Sequence, residues 1–80
     1  MKKILYFSAA WCGPCKTLGP IVAGSGVPYE KVDVDNNQDL SMKYGIRNIP
    51  TLLLVDGNGT ELNRSVGVIS KEQIINFYNG

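Results

Sequence analysis

The chain opens on a nearly unbroken apolar run. Ile4, Leu5, Tyr6 and Phe7 follow Lys2 and Lys3 and lead into Ser8. Such a short, continuous run predicts a β-strand over residues 2–8 that is covered on both faces. A helix is expected next. Pro14 suits a first helical turn, where its missing N–H is no loss. Gly24-Ser25-Gly26, with Pro28 beyond, should end the helix after about Ala23. Pro20 falls inside it and should kink it, because the bond to the Lys16 carbonyl is lost. From Tyr29 to Asp35 the period changes to two: Val32 and Val34 alternate with Lys31, Asp33 and Asp35, a strand with one wetter face. Asn36 and Asn37 can cap a short helix carrying Leu40 and Tyr44 on one side, with Gly45 at its C′ position. Residues 51–55 read as a buried strand and Asp56-Gly57-Asn58-Gly59 as a turn. Residues 60–66 are weakly alternating and polar, as an edge strand should be. Ser70 and Gln73 form a capping box, flanked by Ile69 and Ile74 as a hydrophobic staple. In the helix they open, Ile74, Phe77 and Tyr78 share one face.

The predicted order is β-α-β-α-β-β-α. The first two strands, joined through a helix, should be parallel with a right-handed crossover, and the last two an antiparallel hairpin. No linker, repeat or low-complexity tract interrupts residues 1–80, which are read as a single domain. The size-scaling law gives about 4,700 Å² of folded surface against about 12,600 Å² unfolded, so about 63% is buried and the core is small. The composition is 44% apolar and 19% charged, that of a folded chain rather than a disordered one. A net charge of +1 provides no field for nucleic acid. No apolar run approaches the roughly 18 residues that would span a membrane. The chain has no His, which excludes Cys–His and Ser–His–Asp catalysis and His metal ligation.

Cys12 and Cys15 are the two cysteines, spaced C-x-x-C, and the spacing leaves three readings. A structural disulfide closing so short a loop is worth only about 2 kcal/mol, against about 3 kcal/mol for a loop of about 15 residues. Zinc takes four ligands, so two thiolates would need a second copy of the chain. The third reading is a dithiol that cycles between thiol and disulfide. Lys2 and Lys3 before an apolar stretch superficially resemble the start of a signal peptide. The stretch is too short, and it leads straight into the cysteine motif. The expected compartment is therefore the cytoplasm, where a dithiol is more often catalytic than structural. The sequons Asn58-Gly59-Thr60 and Asn63-Arg64-Ser65 are then chance matches. At the start of a helix the dipole and free N–H groups should favour the Cys12 thiolate, while Cys15 should be less exposed and more thiol-like. Cys12 would attack a target disulfide and Cys15 would resolve the mixed disulfide, with Gly13 and Pro14 setting the reach and stiffness of the turn between them.

Trp11-Cys12-Gly13-Pro14-Cys15-Lys16 resembles the W-C-G-P-C-K signature of thioredoxins. Tyr44-Gly45-Ile46-Arg47, Ile49-Pro50-Thr51 and Val66-Gly67 resemble further segments of that family, as does Pro20 in the active-site helix. The likeness runs from about residue 4 to residue 78. It implies a minimal thioredoxin fold with a four-stranded mixed sheet ordered 2-1-3-4, of glutaredoxin-like size, starting at the strand that leads to the cysteines. It implies a cis Pro50 beside the dithiol, an Ile49 backbone that pairs with an extended substrate, a Gly67 that lets the substrate approach, and Trp11 as an apolar shoulder. From residues alone, Ile49 and Gly67 also fit as core filler and turn residue. A thioredoxin reductase would be the electron donor, and ribonucleotide reductase or other disulfide proteins the acceptors. The chain would work as a cytoplasmic monomer with no cofactor beyond the Cys12–Cys15 disulfide.

Departures from the family pattern bear on the mechanism. Tyr6 stands where thioredoxins bury an Asp that serves as proton acceptor for the second cysteine, and Lys31 matches the lysine that accompanies that Asp. Tyr has a reference pKa near 10 and cannot be a carboxylate base. Lys31 is expected to stay charged between Glu30 and Asp33, leaving water or the departing thiolate to take the Cys15 proton. Ser8 replaces a Trp, and Ser is common near this place in glutaredoxins. A glutathione-dependent, glutaredoxin-like use is the alternative. That family typically carries C-P-Y-C, T-V-P and G-G-x-[ST]-D, where this chain has C-G-P-C, I-P-T and Ser65-Val66-Gly67-Val68. Isomerases and oxidases usually have His between their cysteines. A thioredoxin-fold binding subunit that does not need its thiols would not require an intact C-G-P-C. Gly24-Ser25-Gly26 lacks the context of a dinucleotide fingerprint, so electrons would come from another protein or from glutathione.

Overall fold

Side chains of β1 (Lys3–Ser8) alternate between two apolar layers. Ile4 and Tyr6 point to one and Leu5 and Phe7 to the other, so the run has no place for a polar residue. β3 (Thr51–Val55) repeats the arrangement, Leu52 and Leu54 joining the first layer and Leu53 and Val55 the second. α1 (Gly13–Ala23) and α3 (Lys71–Asn79) close the first layer through Leu18, Val22 and Ile74, with Ile69, Phe77 and Tyr78 packed against them. On the other face Leu40 of α2 (Gln38–Lys43) packs on the second layer. Tyr44 meets Phe7 edge to face there, with ring centroids 6.4 Å apart.

The computed structural model describes residues 1–80. Its single sheet is ordered β2-β1-β3-β4, with β2 spanning Tyr29–Asp33 and β4 Glu61–Val66. β1 and β2 are parallel, Tyr6 opposite Lys31 and Ser8 opposite Asp33. The β1–β3 and β3–β4 pairs are antiparallel, the latter with a register shift at Leu54/Val55. Element order and strand order are those expected, and the surface of 4728 Å² matches the scaling estimate. No helix is long and apolar enough to cross a membrane.

Several local expectations are corrected. β2 ends at Asp33 rather than Asp35, because the Asp33 carboxylate accepts the Asp35 N–H at 2.8 Å and turns the chain. The Val34 N–H still donates to the Ser8 carbonyl at 2.9 Å. Asn37 is the N-cap of α2 but makes no side-chain cap bond; its amide instead donates to the Asp33 carbonyl at 2.9 Å. Gly24 caps α1 with an ordinary right-handed φ of −85°, and the left-handed residue is Gly26. The capping box of α3 forms with both arms, Ser70 Oγ accepting the Gln73 N–H at 3.1 Å and Gln73 Oε1 the Ser70 N–H at 2.9 Å.

Candidate active site

The turn that leaves β1 presents Cys12 as the N-cap of α1, with extended φ and ψ of −88° and 112°. Its Sγ accepts the Cys15 N–H at 3.2 Å. A helix N-terminus concentrates positive potential, so negative charge on this sulfur is favoured both by the dipole and by a directed N–H. Pro14 lies in the first turn, where the absent N–H leaves nothing unpaired. The two sulfurs are bonded as a disulfide with Cα atoms 5.3 Å apart, within the usual range for such a bridge. Cys12 is 5% and Cys15 3% exposed, both packed with Ala9 in a small cluster against Val34 and Ile49. Exposure therefore hardly separates the cysteines; place on the helix does.

The loop before β3 faces the cysteines. The Ile49 carbonyl oxygen lies 3.9 Å from Cys12 Sγ, and the Ile49–Pro50 peptide is cis. The Pro50 carbonyl accepts the Gly67 N–H at 2.9 Å, which ties the loop to the end of β4. Gly67 has φ +96°, and a Cβ there would meet no atom within 4 Å. The position calls for glycine by conformation and leaves the space beside it open. Trp11 is 70% exposed, and its indole N–H donates to Asp35 Oδ2 at 2.9 Å. Nothing in the sequence singles out Asp35, since no local signal marks a carboxylate beyond the end of a strand as the partner of an indole 24 residues away. Gly13 borders open space, and a Cβ added there would have no atom within 4 Å.

On the other side of Cys15 a cavity of about 570 Å³ opens between α1 and the β1–β2 pair, lined among others by Tyr6, Ser8, Cys15, Lys16, Tyr29 and Lys31. The Tyr6 hydroxyl donates to the Cys15 backbone carbonyl at 2.5 Å. Burial pushes the phenol above its usual value of 10.0, so it remains a protonated donor; the neighbouring Ser8 hydroxyl moderates that rise. Tyr6 thus braces α1 onto β1. Ser8 is buried, and its hydroxyl is close enough to the Tyr6 phenol to act on it. The two acids that flank Lys31 in sequence have other partners. Glu30 is paired with Lys3 at 2.7 Å and Asp33 Oδ1 with the Asp35 N–H, and Lys31 takes part in neither salt bridge of the chain. Arg64, equally unmarked in the sequence, spans from Glu61, through Nε at 2.9 Å and Nη2 at 2.8 Å, to the Tyr44 carbonyl at 2.5 Å.

Comparison with known proteins agrees with this arrangement. The thioredoxin family model matches residues 1–80. The chain is 42% identical to a thioredoxin of Haemophilus influenzae, over 95% of this chain and 76% of that protein. It is 39% identical to a thioredoxin of Bacillus subtilis, over 91% and 75%. Among solved structures it matches a mutant thioredoxin from Halobacterium salinarum with a TM-score of 0.85 at 33% identity, over 98% of this chain and 72% of that one. It matches Fasciola hepatica thioredoxin at 0.86 and 29%, over 98% and 78%. The chain belongs to the thioredoxin family, and Cys12 and Cys15 are its redox-active pair, a thiol–disulfide oxidoreductase centre.

Proposed function

We propose that this chain is a protein-disulfide reductase in which Cys12 attacks and Cys15 resolves. The observation that carries the assignment is Cys12 Sγ at the N-cap of α1, accepting the Cys15 N–H at 3.2 Å. In the reduced protein the Cys12 thiolate attacks one sulfur of a target disulfide. A Cys12–target bond forms, and the other target sulfur leaves with the electron pair and takes up a proton. Cys15 then attacks Cys12 Sγ, the Cys12–Cys15 bond forms, and the second target sulfur leaves. The target gains two electrons and two protons, and no cofactor beyond the dithiol is required. Trp11, the Ile49 backbone, Pro50 and Gly67 frame the approach to Cys12. An extended target segment would pair with the Ile49 backbone as a short added strand. Gly13 and Pro14 shape the turn that presents the sulfurs, and Lys16 and Lys31 stand at the cavity behind them. The partners this reading implies are a thioredoxin reductase as donor and disulfide proteins, ribonucleotide reductase among them, as acceptors, with the chain acting as a cytoplasmic monomer.

The test is to offer a disulfide substrate to the reduced Cys15→Ser and Cys12→Ser variants. The first should trap a mixed disulfide on Cys12, and the second should trap none. Adduct on Cys15 alone would reverse the roles. NADPH-coupled turnover with thioredoxin reductase should exceed turnover with glutathione and glutathione reductase; the opposite ranking would move the chain to glutathione-dependent chemistry.

A further inference from the structure

We propose that the outer edge of β2 is a docking site for an extended acidic segment of a partner protein. The segment adds a strand beside β2 and sets a carboxylate near Lys31, at the cavity that Lys31 shares with Lys16. The site uses neither sulfur, so it goes beyond the reading of Cys12 and Cys15 and does not depend on it. In the sheet order β2-β1-β3-β4, β2 has β1 on one side and no strand on the other. The Pro28 carbonyl accepts the Ile4 N–H at 3.0 Å, and the Val34 N–H donates to the Ser8 carbonyl at 2.9 Å. Backbone groups alternate along a strand, so the even-numbered residues of this stretch bond β1. Tyr29 and Lys31 then turn their N–H and C=O groups outward, and both residues are exposed. The Asp33 carbonyl is taken by the Asn36 N–H at 3.2 Å and the Asn37 amide at 2.9 Å, which closes the edge at that end. The β1–β2 register runs without a bulge from Tyr29 to Asp33, and the strand contains no proline. A regular edge of this kind can receive a further strand.

The side chains decide what that edge accepts. Lys31 lies opposite Tyr6 in register, and with Tyr29 and Lys16 it lines the cavity of about 570 Å³ between α1 and the β1–β2 pair. No Asp or Glu lines that cavity. Glu30 is bound to Lys3 at 2.7 Å, and Asp33 Oδ1 accepts the Asp35 N–H at 2.8 Å. Lys16 and Lys31 thus bring two positive charges to one concave site, and neither is in a salt bridge. Residues directly opposite on paired strands have Cβ atoms about 4.5–5.5 Å apart and share a face. A Glu or Asp paired with Lys31 therefore places its carboxylate on the cavity side. A residue two places along the added strand lies over Tyr29, where an apolar side chain fits. A second copy of the chain fits poorly. Symmetric antiparallel pairing centred on Lys31 or on Glu30 sets like charges directly opposite, which is destabilising. Centring it on Val32 calls on the Asp33 carbonyl that the turn already holds.

The experiment titrates the isotope-labelled, oxidised chain with a capped peptide, Ser-Val-Thr-Glu-Thr-Val-Ser, and follows amide signals and amide exchange. In the free chain, exchange should be fast at Tyr29 and Lys31 and slower at Glu30 and Val32. The peptide should approach saturation below about 1 mM, the weak end of specific binding, and should protect the Lys31 N–H. Replacing the peptide Glu by Gln should weaken binding about 3- to 10-fold, and added salt should narrow that difference. Methylating the backbone nitrogen of that Glu removes the donor to the Lys31 carbonyl and should abolish binding. Lys31→Glu, at an exposed position, should keep the wild-type thermal midpoint, bind the Glu peptide at least about 10-fold more weakly, and prefer a peptide with Lys in place of Glu. No protection of Lys31 at about 1 mM peptide, equal affinity for the Glu and Gln peptides, or unchanged binding after methylation would each overturn the proposal. So would protection of Lys31 that grows with protein concentration in the absence of peptide, because the edge would then belong to a second copy.

Discussion

Replacing Tyr6 by Phe removes one oxygen from beneath the active-site helix and leaves the ring in the core. The lost contact is the hydrogen bond from the Tyr6 hydroxyl to the Cys15 carbonyl at 2.5 Å. A typical intramolecular hydrogen bond contributes about 0.5–1.5 kcal/mol net, and a buried partner left unpaired raises the loss toward about 3 kcal/mol. For a domain of this size each kcal/mol moves the thermal midpoint by about 4–8 °C. Tyr6→Phe should therefore melt several degrees below wild type, with a lower urea midpoint and an unchanged m-value. The alkaline limb carries a second signature. Burial raises the Tyr6 phenol above 10.0 in the folded protein. Above about pH 10 the unfolded chain loses a proton that the folded chain keeps, so stability falls as pH rises. That contribution is complete below the unfolded value and is lost as pH climbs through the folded one. Urea midpoints at about pH 8 and about pH 10.5 should show a steeper decline for wild type than for Tyr6→Phe, the other titrating groups being common to both. Equal stability at neutral pH, or equal alkaline decline, would refute the account of Tyr6 as a buried donor. Tyr6→Asp is a poorer probe, because losing a buried aromatic side chain costs about 3–5 kcal/mol, a large part of the stability of a small domain.

Two further outcomes follow from contacts outside the dithiol. Arg64→Lys should lower stability by about 1 kcal/mol in thermal unfolding, because an ammonium cannot reproduce the planar fork that joins Glu61 to the Tyr44 carbonyl; a midpoint equal to wild type would mean the fork contributes nothing. Ser70→Ala should cost about 1 kcal/mol in urea denaturation through loss of the bond to the Gln73 N–H, and an unchanged midpoint would show that the α3 cap is dispensable.

The elements of this protein are legible in its sequence because their causes are local. Strands β1 and β3 read as buried on both faces since each alternates apolar side chains between two layers. The capping box at Ser70 and Gln73 announces α3, and the β-α-β connection implies a parallel first pair. The cysteine motif is legible for the same reason: one turn of helix places a sulfur at an N-terminus, whatever the rest of the chain does. The partners of the surrounding side chains are not legible. Tyr6 reads as a missing base and is a donor to the Cys15 carbonyl. Lys31 reads as flanked by acids that are in fact engaged with Lys3 and a backbone N–H. Asp35 holds Trp11 from 24 residues away, and Arg64 reaches back 20 residues to Tyr44. Turn and strand signals depend on a residue and its near neighbours, whereas a hydrogen bond depends on where two elements are brought to within about 3 Å of each other.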